Sequence, residues 1–407
     1  MIPIAMRVCI VTRSAPLHAI GGMEDHTRDL ATGLVAAGHE VDVLTSRHPD
    51  GVAEETNGGV RWLYVDAPGN DFAAAAWRQA SAEAFAAAHG ERSYDVVHSE
   101  GSSGLELVRR GVQKRTPFVV EFHGNFVGLV KASLKRQANQ RSLIAILREQ
   151  RGLAHLTRRH FTAGNWRIFR DCEVIVPSHQ QVADTRIAHL LDRRRMHVVP
   201  NGVDTQTFRP RPRAELRASL GLPEELLFVC AGRLVSEKGT HHAIRALSQL
   251  TGDARLMIVG DGLERPRLEA LARELGVEQR VFFAGRQPSE RMPEYLAAAD
   301  VFLFPTEREE AAPLILPQAM SCGLAVVASD RGGIGEVVRG REQAGVLVRP
   351  GDVAALTRAM QELSDDESER GELGRRARAR IEEEFTLEQM VARTVSVYEA
   401  AVNFSPS

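Results

Sequence analysis

The sequence has no surplus of either charge, little cysteine and no long apolar run, and each shortage excludes a class of function. Lys and Arg number 51 against 53 Asp and Glu, so the basic footprint of a nucleic-acid binder is missing. Four cysteines, Cys9, Cys172, Cys230 and Cys322, are scattered with no C-x-x-C pair. Neither a disulfide framework nor a zinc site is expected from that spacing. Cys9, Cys172 and Cys230 lie in or beside apolar runs and read as small core residues. No apolar stretch reaches the roughly 18–20 residues that span a bilayer. The opening Met1–Thr12 lacks a basic segment followed by a long apolar one, which argues against a signal peptide. Residues 1–5 read as a short extension before a strand, and the expected location is the cytoplasm.

What is present is an ordinary globular composition, 43% apolar with 34 Gly and 18 Pro in 407 residues. At about 150 residues per domain this makes two or three domains, because chains beyond roughly 250–300 residues divide into separate cores. Short runs of Val, Ile and Leu without strict alternation recur at Arg7–Thr12, Glu40–Thr45, Asp95–His98, Pro117–Phe122, Cys172–Pro177 and His197–Pro200. Glu24–Gly38 carries apolar residues at helical spacing. Such runs suit strands covered on both faces, as in parallel sheets. Strands that alternate with helices imply right-handed βαβ units.

The rhythm restarts after Asn201–Pro212. Strands are expected at Leu226–Gly232, Ala254–Val259, Val281–Gly285, Val301–Phe304 and Ala325–Ser329. Helices are expected at Thr240–Leu250, Glu264–Leu275, Arg291–Ala299 and Leu314–Cys322, then at Val353–Asp366, Ser368–Glu384 and Leu387–Asn403. The expected fold is α/β, with two doubly wound, Rossmann-like domains facing each other across a cleft. Residues 1–204 form one, completed by a helix at about 387–403, and residues 205–386 form the other. In such sheets ligands bind outside the carboxyl ends of the strands.

Five constellations could carry chemistry. Gly21-Gly22 opens a helix after the first strand, where backbone can approach a phosphate; a plain turn is the alternative. Gly232-Arg233 with Lys238 lies between a strand end and a helix, so both cations can converge on one diphosphate; two surface cations are the alternative. Gly260-Asp261-Gly262 is a turn at the next strand end. Glu310 precedes Pro313, expected at a first helical position, and Gln318 lies one turn further on. His123 ends a strand, where a structural role competes with a functional one. The remaining histidines show no ligand spacing, so no metal site is assigned. There is no Asp-x-Asp, which argues against Mg²⁺-dependent sugar-nucleotide chemistry, and no Gly-x4-Gly-Lys-Ser/Thr P-loop. From Lys131 to Arg170 ten Lys and Arg accompany a single acid. That segment reads either as a solvated helical face or as a surface for an anionic, lipid-linked acceptor at the inner face of a membrane.

Taken in order, these motifs resemble the retaining GT-B glycosyltransferases of family 4. The likeness runs from Gly21-Gly22-x-Glu24-x-His26 and Phe122-His123-Gly124 through Val199-Pro-Asn-Gly-Val-Asp204, Gly232-Arg233-x4-Lys238 and Ala299-Asp300 to Gly332-Gly-Ile-Gly-Glu336. The resemblance implies transfer of a hexose from a nucleoside-diphosphate sugar, a UDP- or GDP-sugar, to an acceptor hydroxyl, with no metal or other cofactor. It implies that Arg233 and Lys238 neutralise the diphosphate, that backbone at Pro313, Leu314 and Ile315 binds the distal phosphate, and that Glu310 holds sugar hydroxyls. Gly260, Asp261, Gly262 and Arg286 would border the nucleoside, Gly21 and Gly22 would approach the diphosphate, and His123 would contact the sugar. One departure is plain: the family's Glu-x7-Glu is Glu310-x7-Gln318 here. A sugar-nucleotide 2-epimerase and a non-catalytic sugar-nucleotide binder are the alternative functions.

Overall fold

The computed structural model describes residues 5–19, 21–67, 75–124 and 169–403. All but the last two residues of the basic segment 131–170 therefore lie outside the described residues. The chain divides into two compact units, Met1–Pro200 with Glu388–Ser407, and Asn201–Leu387. The division falls a few residues before the expected 204/205, and the reason is a short parallel bridge between Val203 and Thr386. Val203 N donates to Phe385 O and Leu387 N to Val203 O, each at 2.9 Å, which ties the linker to the second unit.

The first unit holds eight strands: β1 (Arg7–Val11), β2 (Glu40–Thr45), β3 (Glu54–Asn57), β4 (Val60–Tyr64), β5 (Val96–Glu100), β6 (Phe118–Glu121), β7 (Glu173–Val176) and β8 (Met196–Val198). Their order is β3-β4-β2-β1-β5-β6-β7-β8. Every pair is parallel except β3 with β4. That hairpin departs from the all-parallel expectation. β3 is Glu-Glu-Thr-Asn and exposed throughout, a charged edge of the sort that discourages sheet-to-sheet pairing.

The second unit holds β9 (Leu227–Ala231), β10 (Arg255–Val259), β11 (Val281–Gly285), β12 (Val301–Phe304), β13 (Ala325–Ser329) and β14 (Val346–Val348). They lie in the order β11-β10-β9-β12-β13-β14, all parallel. Alternate residues feed opposite cores. Leu227, Val229, Phe302, Phe304, Val326 and Ala328 pack on one face, while Phe228, Cys230, Val301, Leu303, Ala325 and Val327 pack on the other. Both faces of the inner strands β9, β10, β12 and β13 are dry, so these read as continuous apolar runs rather than as alternating ones. In each sheet the strand order reverses once, between β1 and β5 and between β9 and β12. The carboxyl ends at such a reversal are where open α/β sheets place ligands.

All four cysteines are buried and free. Burial pushes the Cys172, Cys230 and Cys322 thiols up to about 12, so they pack as small apolar side chains. Ala299-Asp300 is also structural. Asp300 accepts from Arg217 Nη2 at 2.6 Å, Arg213 Nη1 at 2.8 Å and Leu227 N at 2.7 Å.

Candidate active site

In the second unit the loops after β9 and β12 meet at the reversal point. β9 passes through Gly232, Arg233 and Leu234 into a single turn, Ser236–Lys238, and then the helix Thr240–Leu247. The β12 loop is stitched to it by backbone: Glu307 N and Thr306 Oγ1 both donate to Glu237 O, at 2.8 and 3.1 Å. The β10 loop closes on the other side. Gly260 adopts φ +142°, and a Cβ there would stand 1.9 Å from Gly232 O, so two backbones touch where only glycine fits. Leu234 N donates to Asp261 O at 2.9 Å. Asp261 is exposed; the Gly262 N–H at 2.7 Å, then the Arg265 guanidinium at 3.1 Å, hold its carboxyl below the usual range.

This framework brings Lys238 and Glu310 together. Lys238 Nζ donates to Glu310 Oε1 at 2.8 Å, and the two side chains are 19% and 12% exposed. An ammonium has three donors, and Glu310 takes one. Arg233 is exposed and, among the described residues, has no ion pair or side-chain hydrogen bond. Arg233, Lys238, Thr240, Phe304 and Pro305 line one small cavity behind the loop. Glu310 is also gripped through its backbone, since Gly333 N donates to its carbonyl at 2.7 Å. A Cβ on Gly332 would lie 2.1 Å from that oxygen. The Gly332-Gly333 motif thus seats the carboxylate-bearing loop.

Pro313 is not the first helical residue as expected. The helix runs Ile315–Ser321 with Leu314 before it, and Pro313 and Leu314 are buried. Asn201 holds the preceding segment out of the helix, donating from Nδ2 to Ala312 O at 3.0 Å. Pro317 takes the third helical position instead, where an N–H has no partner inside the helix. Gln318 is half-buried one turn in, and among the described residues no hydrogen bond joins it to Glu310. Arg286 is exposed at the end of β11. Asn201 was legible as part of a motif but carried no signal of this role.

In the first unit Gly21 precedes and Gly22 begins the helix α1 (Gly22–Ala36), whose start has no side-chain cap. His123, just past β6, offers Nε2 to Glu100 Oε2 at 2.5 Å. Behind it lies a buried group that sequence spacing did not reveal, because α1, β5, β6 and the last helix each supply part of it. His26 Nε2 is 3.2 Å from Glu121 Oε1, and His98 Nε2 is 3.3 Å from Glu121 Oε2. Tyr398 Oη is 2.9 Å from His98 Nδ1. Burial works against charge on His26, but Glu121 and then Glu100 outweigh it and raise it to about 9. Burial likewise opposes ionisation of Glu100 and Glu121. His123 for the first and His26 for the second overcome it, so both carboxyls lie below their usual range.

Comparison with known proteins agrees with the fold. Residues 212–380 match the family described as glycosyl transferases group 1, and residues 20–207 match glycosyltransferase family 4. A glycogen synthase of Mycobacterium tuberculosis is 29% identical over 97% of this chain and 95% of that protein. A D-inositol 3-phosphate glycosyltransferase of Xylanimonas cellulosilytica is 30% identical over 95% of this chain and 93% of its own. The solved structure of a sucrose-phosphate synthase from Thermosynechococcus elongatus has a TM-score of 0.78 at 26% identity, covering 97% of this chain and 98% of that one. With two family models side by side along its length and relatives that span it end to end, the chain belongs to the GT-B group 1 glycosyltransferases of family 4, and it is an enzyme.

Proposed function

We propose that this glycosyltransferase moves a hexose from a UDP- or GDP-sugar to an acceptor hydroxyl, with retention of anomeric configuration and without a metal ion. The observation that carries this reading is the exposed Arg233 beside Lys238 and Glu310 at the strand-order reversal of the second unit. As the donor bond breaks, negative charge grows on the leaving diphosphate and positive charge on the sugar ring. Arg233 would meet the first by bidentate contact and Lys238 as a point charge. Backbone N–H groups of Leu314 and Ile315, after Pro313, would hold the distal phosphate. Such charges, fixed before the reaction, stabilise the transition state without reorganisation. Glu310 would hold sugar hydroxyls, Gln318 the ribose, and Gly260–Gly262 with Arg286 the nucleoside. Gly21, Gly22 and His123 would serve the diphosphate and sugar in the same reading. The departing phosphate oxygen would take the proton of the acceptor hydroxyl, so no protein nucleophile is required.

Time-resolved NMR with candidate donors and acceptors tests this. A glycoside whose anomeric coupling matches the donor is expected, at a rate that EDTA does not lower. An inverted product, or turnover lost with EDTA, overturns it. A thermal-shift panel of UDP, GDP, ADP and dTDP sugars selects the donor, since ligand binding stabilises by mass action. No helix among the described residues is long and apolar enough to cross a membrane. A lipid-linked or anionic acceptor reached by peripheral contact through residues 131–170 is the remaining part of the proposal. Liposome co-sedimentation at low salt tests it, and an absence of binding to anionic vesicles removes it.

A further inference from the structure

The loop after β12 carries three carboxylates within four residues, and each meets a cationic or imidazole side chain from a different part of the second unit. His242 Nε2 lies 2.9 Å from Glu307 Oε1. Lys238 Nζ donates to Glu310 Oε1 at 2.8 Å, and Thr306 Oγ1 reaches the same oxygen at 3.4 Å. Arg331 Nη2, on the loop after β13, lies 2.8 Å from Glu309 Oε1. The two residues after Arg331 hold the next glutamate by its backbone. Gly333 N donates to Glu310 O at 2.7 Å, and Gly332 packs so closely that a Cβ there would stand 2.1 Å from the same oxygen. Three consecutive residues of one loop thus grip two consecutive glutamates of another.

Stability does not account for the Arg331 contact. The two side chains are 17% and 35% exposed, and ion pairs that water reaches add little to folding. Arg331 Nε is buried with no hydrogen-bond partner, which costs free energy. What the pair secures is position. Glu310 Oε1 is taken by Lys238 and Thr306, whereas among the described residues Oε2 makes no hydrogen bond, so Oε2 is the oxygen left to a ligand.

We propose that Arg331 is a positioning residue for the sugar of the donor. Paired with Glu309, it fixes the course of the loop and so the place where Glu310 offers Oε2 to the sugar hydroxyls. Arg331 itself does not touch the donor. Groups that meet a reacting substrate depend on neighbours that lock their own geometry, because small misplacements are expensive in rate and affinity. The inference rests on the reading that Glu310 holds the sugar and deepens it.

Calorimetry on the full chain tests this, with UDP against UDP-glucose and GDP against GDP-mannose as probes. The quantity read is the ratio of the sugar nucleotide's dissociation constant to that of the bare nucleotide. Arg331→Gln should weaken the sugar nucleotide by about 10-fold, mid-range for residues joined in one network, and leave the bare nucleotide within about 2-fold. Glu309→Gln should do the same, and the double variant should be no worse than either single one. Arg331→Lys keeps the charge without the planar fork and should recover part of the loss. A folded Arg331→Gln with an unchanged ratio overturns the proposal. So does an equal loss for both ligands, which marks a direct grip on the diphosphate or a general collapse, and so does full additivity in the double variant. If Arg331→Gln does not fold, Glu309→Gln decides by the first two criteria. Glu310→Gln separates the proposal from the reading beneath it. A ratio unmoved by Glu310→Gln removes both, whereas one moved by Glu310→Gln but not by Arg331→Gln removes the positioning role alone.

Discussion

The two units put charge to opposite uses at equivalent places. Both gather ionisable side chains at the carboxyl ends of a doubly wound sheet. In the first, Glu100, Glu121, His26 and His98 are each at most 2% exposed, and acid faces imidazole. In the second, Arg233 is exposed and Lys238 keeps 19% of its side chain open beside Glu310. A dry cluster spends its electrostatics on its own members, where removing one partner leaves another buried and unpaired. A half-open one retains capacity for an anion arriving from solution. The same architecture thus yields a closed acid–imidazole network in one unit and a partly open cationic one in the other.

Substitutions can break or sharpen that contrast. The largest effect is expected in the second unit, where Arg233→Ala or Lys238→Ala should lower kcat/KM by about 100-fold or more, the scale of one lost charge-stabilising donor. The melting temperature should barely move; full activity in either variant would defeat the assignment. Next, Gly260→Ala forces a Cβ onto the Gly232 carbonyl and a side chain into φ +142°. Strain and overpacking of that kind cost about 3 kcal/mol, seen as a lower melting temperature together with lost donor binding. In the first unit, Tyr398→Phe removes the hydroxyl from His98 Nδ1 and should cost about 1–2 kcal/mol. Here the sign of the contrast reverses: denaturation shifts while donor affinity stays put, and an unchanged midpoint would refute it. The smallest effect belongs to Gln318→Glu. A charge-assisted bond is worth roughly 1.5–3 kcal/mol against about 1 for a neutral one. Donor affinity, read by calorimetry, should therefore rise by about 2- to 30-fold, and a fall would show that Gln318 does not face the ribose.

Legibility in the sequence followed the same division. β9, β10, β12 and β13 were readable because they are buried on both faces and read as apolar runs, and the edge strand β11 was readable from its Val-Phe-Phe-Ala-Gly run although Phe282 stays exposed. Arg233 was expected just past β9, and Lys238 and Glu310 further along the loops after β9 and β12; the structure pairs the last two. β3 was not, being four polar residues with no buried face. Nor was the helix Ala75–Glu91, whose repeated alanines leave little contrast between its faces. The short β14 and the helix Ile334–Val338 fell below any periodic signal. The acid–histidine group was hidden for a different reason. Its members are strand ends and a helix residue that only the β1-β5-β6 adjacency assembles, and no linear spacing encodes a sheet order.

One consequence follows from the return of residues 388–407 to the first unit. Translation delivers Tyr398 some 300 positions after its partner His98, so the leading half emerges from the ribosome with a piece of itself still unmade. Domains usually finish as they are synthesised, the earliest first, but this one must wait for the second to be made. A gene fragment stopped at Pro200 should give an incomplete product. Supplying Glu388–Ser407 as a separate peptide, or splicing it directly behind Pro200, should restore the missing wall.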